Sequence, residues 1–244
     1  MIEFDAAEFV ARTATGTSRV LHPTTLRLTE RRIALIGANG SGKSTLARMI
    51  NGLVEPTAGS VTVSAPSARG TGAASYDTIR DGAAVRRLVG FVFTDPTAQL
   101  VMPTAIEDVA LSLRRSHPRK HERFAAAHAT LSRFGLEALA DHSVHTLSGG
   151  QKQLLALASV LATDPTILVA DEPTTLLDLR NSRTVAELLL GLSQQLILVT
   201  HDLALAARCD RVIVVDRGAV VRDSGVTTTG DPVADAIAWY QEQA

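Results

Sequence analysis

Over residues 2–36 apolar positions alternate with polar ones, as on half-buried strands: Ile2-Glu3-Phe4, Phe9-Val10, a turn at Gly16, then Leu26-Arg27-Leu28. This opening section ends on the fully apolar run Ile33 to Ile36. The period then becomes helical over residues 43–51, with Asn51-Gly52 as the stop signal. Val61-Thr62-Val63 reads as a short strand, and residues 64–76 are small and polar, the composition of a mobile loop. Leu88 to Phe93 reads as a buried strand broken by Asp95-Pro96.

From about Thr97 to Ala162 helical spacing dominates. Ile106, Val109, Ala110 and Leu113 share one face, as do Phe124, Ala127, Leu131 and Phe134, and Leu147 to Leu161 is helical after a Gly149-Gly150 start. Strands return as short apolar runs, Ile167 to Ala170 and Leu196 to Val199, of the kind buried in parallel sheets. A crossover helix, Arg183 to Leu192, lies between them. Arg211 to Asp216 and Ala219 to Val221 flank Arg217-Gly218 as a final hairpin, and residues 232–243 form a last helix. The pattern predicts one α/β domain spanning 1–244, with a core at 1–93 and 163–244 and a helical subdomain inserted at 94–162.

Composition narrows this picture. The 244 residues are 45% hydrophobic, enough for a large core, and the net charge of −1 gives no electrostatic argument for nucleic acid. A single cysteine, Cys209, excludes an internal disulfide framework and fits a reducing compartment. No run reaches the ~18 apolar residues of a membrane span, and Met1-Ile2-Glu3-Phe4-Asp5 lacks the basic start of a signal peptide. The expected location is cytoplasmic, with any membrane role arising through a partner.

Candidate chemistry concentrates at four places. Gly37-Ala38-Asn39-Gly40-Ser41-Gly42-Lys43-Ser44-Thr45 lies between an apolar strand and a helix, the context that the phosphate-binding pattern G-x-x-x-x-G-K-[ST] requires. Its glycines let backbone N–H groups converge on phosphate oxygens, and the helix N-terminus adds partial positive charge. Lys43 supplies a cation for the β- and γ-phosphates, and Ser44 a hydroxyl for Mg²⁺. Asp171 and Glu172 close a strongly apolar strand, where Asp171 can reach the Mg²⁺ water shell and Glu172 can orient a water for in-line attack. His201 ends another core strand, on the face where α/β proteins bind ligands. Leu147-Ser148-Gly149-Gly150-Gln151 is a second glycine-rich helix start in a different subdomain, hence an anion site for a ligand presented by a second chain. His117 and His121 are four apart, but Pro118 interrupts the helix and no third ligand is evident, so a metal site there is rejected.

Over about residues 2–223 the chain resembles the ATPase subunits of ATP-binding-cassette (ABC) transporters. The resemblance rests on GANGSGKST at 37–45, LSGGQ at 147–151, ILVADEP at 167–173, Leu177-Asp178 and His201, in the family's order and spacing. It implies the P-loop NTPase fold, an α/β class with a mixed sheet core, N-terminal antiparallel strands and the inserted helical signature subdomain. It implies ATP and Mg²⁺ as ligands and a second ATPase subunit, identical or different, closing head to tail over two ATP molecules. One chain's residues 37–45 and the other's Ser148, Gly149, Gly150 and Gln151 then hold each ATP. Glu172 polarises the attacking water, His201 contacts the γ-phosphate, Ser44, Asp171 and Gln99 attend the metal, and Asp178 acts across the dimer.

The chain departs from the family's pattern at three positions. Ala11 stands where an adenine-stacking aromatic is expected, with Phe9 or Arg12 as substitutes. Thr94 stands where a glutamine usually follows the strand, with Gln99 five residues on. Leu154 replaces a common arginine. The segments 93–100 and 106–110, with 151–156 and 173–178, are similar to energy-coupling-factor importers, and most similar to those for biotin, with cobalt and nickel importers as the alternative. That implies a membrane-embedded partner docking on residues 97–115. A soluble, non-transport ABC ATPase is the remaining alternative, and the chain lacks the long coiled-coil insertion and basic surface such proteins use.

Overall fold

The computed structural model describes residues 1–13, 16–66, 73–226 and 231–243. In chain order the elements are β1 (Ile2–Thr13), β2 (Gly16–Leu28), β3 (Arg32–Ile36), α1 (Lys43–Asn51), β4 (Ala58–Pro66), β5 (Ala73–Asp77), α2 (Gly82–Leu88), β6 (Val89–Val92), α3 (Ala105–Ser112) and α4 (Lys120–Arg133). They continue with α5 (Gly149–Leu161), β7 (Ile167–Asp171), α6 (Leu179–Gly191), β8 (Gln195–Val199), α7 (Leu203–Ala206), β9 (Arg211–Asp216), β10 (Ala219–Asp223) and α8 (Pro232–Gln243).

The chain forms two compact units: Met1–Val89 with Thr166–Asp171 and Leu192–Ala244, and Gly90–Pro165 with Glu172–Gly191. In the first, an antiparallel sheet runs β2-β1-β4-β5. Its alternating burial, with Ile2, Phe4, Val61 and Val63 inward, follows from the side-chain period of two. The second sheet of this unit runs β10-β9-β3-β8-β7. Here β3 pairs in parallel with β8 and β9, and β7 with β8, while β9 and β10 form an antiparallel hairpin. Ile33 to Ile36, Ile167 to Ala170 and Leu196 to Val199 are all fully buried, as expected of parallel strands covered on both faces. Helix α1 packs on this unit through Leu46, Ala47, Met49 and Ile50, and ends where Gly52 adopts the left-handed conformation and donates to the carbonyls of Arg48 and Met49.

The second unit is helical. Val109 and Ala110 of α3, Ala127 and Leu131 of α4, and Leu155 and Ala158 of α5 bury one cluster. Thr104 and Glu107 start α3 with a reciprocal capping box.

Residues 64–76, expected as a mobile loop, are corrected at both ends. Ser64 to Pro66 belong to β4 and Ala73 to Tyr76 to β5, paired from Thr62↔Asp77 to Pro66↔Ala73. Small side chains have weak strand propensity, and here the ladder with β4 overrides it. The centre of that expectation, 67–72, lies outside the described residues. Leu88 ends helix α2 instead of starting a strand, and neither α2 nor the short α7 was foreseen. Residues 172–191, read as core, cluster with the helical unit.

Candidate functional site

In the first unit, three neighbouring parallel strands deliver the chemistry to one edge of the sheet. Leu35 of β3 and Asp171 of β7 both stand level with Val199 of β8. The glycine loop leaves the carboxyl end of β3, His201 follows β8, and Asp171 closes β7. Such ends at neighbouring strands are where open α/β sheets bind ligands.

The loop is shaped by glycines that no other residue replaces. Gly37 has φ of 146°, and a Cβ there would stand 2.0 Å from the Val215 carbonyl oxygen. Gly42 has φ of 104°, with the Val20 carbonyl oxygen 2.9 Å from a Cβ. Gly42 is also the N-cap of α1, and no side chain caps that helix. A helix start without a side-chain cap, following a glycine loop, is the arrangement that binds phosphate. Lys43 is almost fully buried and lies along the loop, its Nζ donating to the carbonyls of Gly37 at 2.7 Å and Ala38 at 2.9 Å. The buried Ser41 hydroxyl has no hydrogen-bond partner, so the loop holds an orphaned polar atom. Ala38, Asn39 and Gly40 are exposed, and Thr45 is half-buried on α1.

Beside the loop, Ser44 Oγ donates to Asp171 Oδ1 at 2.8 Å, and Arg48 Nη2 donates to Asp171 Oδ2 at 3.2 Å. Ser44 and Arg48 are four apart on α1 and so share a face. A hydroxyl and a carboxylate are hard oxygen donors. They suit Mg²⁺, which takes one or two protein oxygens together with substrate phosphates and needs no all-protein cage. Among the described residues, no group of three or more His, Cys, Asp or Glu side chains could hold a metal alone. His201 is exposed at the end of β8. The strand end beneath it is held by Thr200, whose N–H donates to the Leu35 carbonyl at 3.1 Å and whose hydroxyl accepts from the Asp202 N–H at 3.0 Å. Cys209 is buried, and desolvation pushes its thiol up to about 12, which makes it a packing residue.

The chain crosses into the second unit at the bond between Asp171 and Glu172. Glu172 has φ of 52°, a strained value for a residue with a Cβ. Its Oε2 accepts from Thr175 Oγ1 at 2.8 Å. In the same unit Ser148 is the N-cap of α5. Its Oγ accepts from the Gln151 N–H at 3.3 Å, and its own N–H donates to Gln151 Oε1 at 2.9 Å. Gly149 has open surroundings, whereas Gly150 lies against Asn181, whose amide carbon would be 2.5 Å from a Cβ. Asn181 is itself held by Asp178, through its N–H at 2.9 Å and its Nδ2 at 2.8 Å. Those bonds, the backbone one first, keep the Asp178 carboxyl below its ordinary value. Gln99 Oε1 accepts from the Phe93 N–H at 3.4 Å. Ala11 sits in β1 opposite Ser18, and Leu154 packs against the helical core.

Thus the structure joins Ser44 to Asp171, folds Lys43 back on its own loop, and sets His201 at the same strand edge. It places Glu172, Gln99 and Ser148 to Gln151 in the other unit. Sequence reasoning missed Arg48 and Thr175. The first was discoverable from its i,i+4 spacing to Ser44, and the second from its spacing of three from Glu172 within one turn.

A glycine loop that opens an uncapped helix beside an aspartate-closed strand makes this a P-loop NTPase. Within that class the chain belongs to the ABC transporter family, whose model matches residues 22–175, and it is an ABC-type ATP hydrolase. It is 43% identical to the biotin transport ATP-binding protein BioM of Rhizobium etli, covering 100% of this chain and 99% of that protein. It is 42% identical to the nickel import ATP-binding protein NikO of Rhodobacter capsulatus, over 78% of this chain and 76% of that one. The dimeric, post-hydrolysis structure of the ATP-binding cassette MJ0796 bound to ADP and Pi superposes with a TM-score of 0.78 at 30% identity, covering 91% and 97% of the two chains. Among the described residues, no helix is long and apolar enough to cross a membrane.

Proposed function

We propose that this chain is the motor of an energy-coupling-factor importer that takes up biotin, working on the cytoplasmic side through a membrane-embedded partner. The observation that carries this reading is the end-to-end likeness to a biotin-transport ATPase. Nickel or cobalt uptake is the second reading, favoured by the likeness to a nickel-import ATPase over most of the chain.

In this reading the loop 37–45 and the first turn of α1 grip the ATP phosphates, and Lys43 turns from the Gly37 and Ala38 carbonyls to the β- and γ-oxygens. Ser44 and Asp171 would hold Mg²⁺, and Gln99 would be a further oxygen ligand. When bound, the ion neutralises charge on the phosphate oxygens. Arg48 holds Asp171 from the other side and fixes its rotamer. Glu172 accepts the proton of the attacking water, with Thr175 orienting the carboxylate, and His201 steadies the γ-phosphate. Ser148, Gly149, Gly150 and Gln151 complete the site of a second ATPase subunit, identical or different. The membrane partner docks on residues 97–115. The difference in ATP affinity between closed and open assemblies moves the partner between its two access states.

The test is uptake of labelled biotin, nickel and cobalt by cells that depend on this chain and its co-isolated membrane partner. Glu172→Gln serves as the blocked control: it should bind ATP, trap the closed dimer and abolish uptake. Metal uptake without biotin uptake would transfer the assignment to the second reading. Failure to co-isolate with any membrane protein would end the importer reading, and parental hydrolysis by Glu172→Gln would end the assignment of the base.

A further inference from the structure

Asp108 is a nearly inaccessible carboxylate in the helical unit, outside the nucleotide site and buried within the stretch 97–115. It sits in the first turns of α3 and is 4% exposed. One oxygen, Oδ1, accepts from the N–H groups of Val101 at 2.9 Å and Met102 at 3.1 Å. The other, Oδ2, accepts from Ser159 Oγ at 2.9 Å. Ser159 is equally buried and lies about three turns along α5 from its N-cap, Ser148. One side chain therefore ties two places that are remote in sequence: the backbone just before α3, and the helix that begins with Ser148 to Gln151.

The partners of Asp108 make it an expensive way to hold a loop. All three donors are neutral, and a buried charge without a cation costs more to desolvate than a buried amide or an apolar contact. Polar anchors of this kind fix one arrangement more than they add stability. The anchored segment carries an exposed apolar side chain, Val101 at 68%, and Leu111 of α3 is a second at 39%. Asp108 thus grips, by their amides, the exposed Val101 and the half-buried Met102 beside it. At the other end, α5 is locked in the helical core by Leu155 and Ala158, so a displacement at Ser159 moves the helix as a body.

We propose that Asp108 is a positioning residue that links occupancy of the Ser148 helix start to the conformation of the partner-facing segment 99–103. The identity of what docks on that segment rests on the importer reading, but the link itself does not. Linkage is reciprocal, so ATP captured at Ser148 must alter the affinity of segment 99–103 for what docks there by the same factor as docking alters ATP capture.

The experiment is amide hydrogen exchange at Val101 and Met102 in the Glu172→Gln background, with and without ATP. ATP is expected to change their exchange by roughly tenfold, within the usual range of coupling between sites. Ser159→Ala keeps both amide anchors but cuts the tie to α5, and should reduce that change to less than about twofold with ATP affinity retained. Asp108→Asn can still accept both N–H groups and donate its amide to the Ser159 hydroxyl, so it should preserve the ATP effect, while Asp108→Ala should abolish it. An unchanged ATP effect in Ser159→Ala, or none in the parent, overturns the proposal. So does loss of the effect in Asp108→Asn at parental thermal stability. Co-isolation with a membrane protein is scored separately, so an intact link without a membrane partner would fault the importer reading alone.

Discussion

Two helices in this protein begin at glycine-rich turns, and they begin in opposite ways. Helix α1 starts after Gly42, in the left-handed conformation, with no side-chain cap. Helix α5 starts at Ser148, and Ser148 and Gln151 close its first turn on each other. The glycines differ in kind as well. Those of the first loop are demanded by their own backbone: Gly37 combines a positive φ with a carbonyl where its Cβ would be. Gly149 has an ordinary helical environment with nothing closer than 3.7 Å to a Cβ, and the nearest atoms to a Cβ at Gly150 are those of the Asn181 side chain. A helix start that takes phosphate from its own loop is built open and rigid. The other is capped by its own side chains; under the proposed reading it stands without ligand until a second chain presents one, and its glycines keep the approach clear.

The sharpest way to break this comparison is to add one methyl group to each start. Gly37→Ala should lose about 3 kcal/mol of stability, because the Val215 carbonyl cannot move without disturbing β9. Gly149→Ala should change stability by less than about 0.5 kcal/mol while depressing ATP hydrolysis. Urea unfolding of both variants checks the contrast, and equal losses would erase it. A smaller effect tests the cap itself. Ser148→Ala should cost about 1 kcal/mol, the ordinary value of an N-cap. No comparable side-chain cap exists on α1 to remove.

The smallest effect concerns pH. The Asp178 carboxyl is held below its ordinary value of 3.8, and it holds Asn181 against Gly150. A depressed carboxylate contributes stability above its unfolded value, and loses it as pH falls through the folded one. Melting temperatures measured between about pH 5 and about pH 2.5 should therefore fall further for the parent than for Asp178→Asn. Parallel curves would show that this bond contributes nothing at the second helix start.

Much of this was legible in one dimension, for definable reasons. The loop 37–45, the glycine-rich helix start at 148–150, and the runs that became β3, β7 and β8 announce themselves through local spacing, because glycine placement and side-chain period act within a few residues. Strand β5 did not, since Ala73, Ala74 and Ser75 have no strand signature of their own and are ordered by pairing with β4. Helix α2 hid behind the apolar run that follows it. The resemblance to ABC ATPases was legible because its motifs are short and local, whereas the transported solute is not written in any of them.

Sequence alone determined where a phosphate-binding turn would form, which strands would be buried, and which acids and histidine would stand at strand ends. Only tertiary structure decided which partners those groups would have. Asp171 meets Ser44 and Arg48 from more than a hundred residues away, and Asp108 meets Ser159 from 51 residues away. Turn and period are set by the backbone preferences of neighbouring residues. The pairing of buried polar groups is set by which surfaces the packed core brings into register, and no local window contains both members of such a pair.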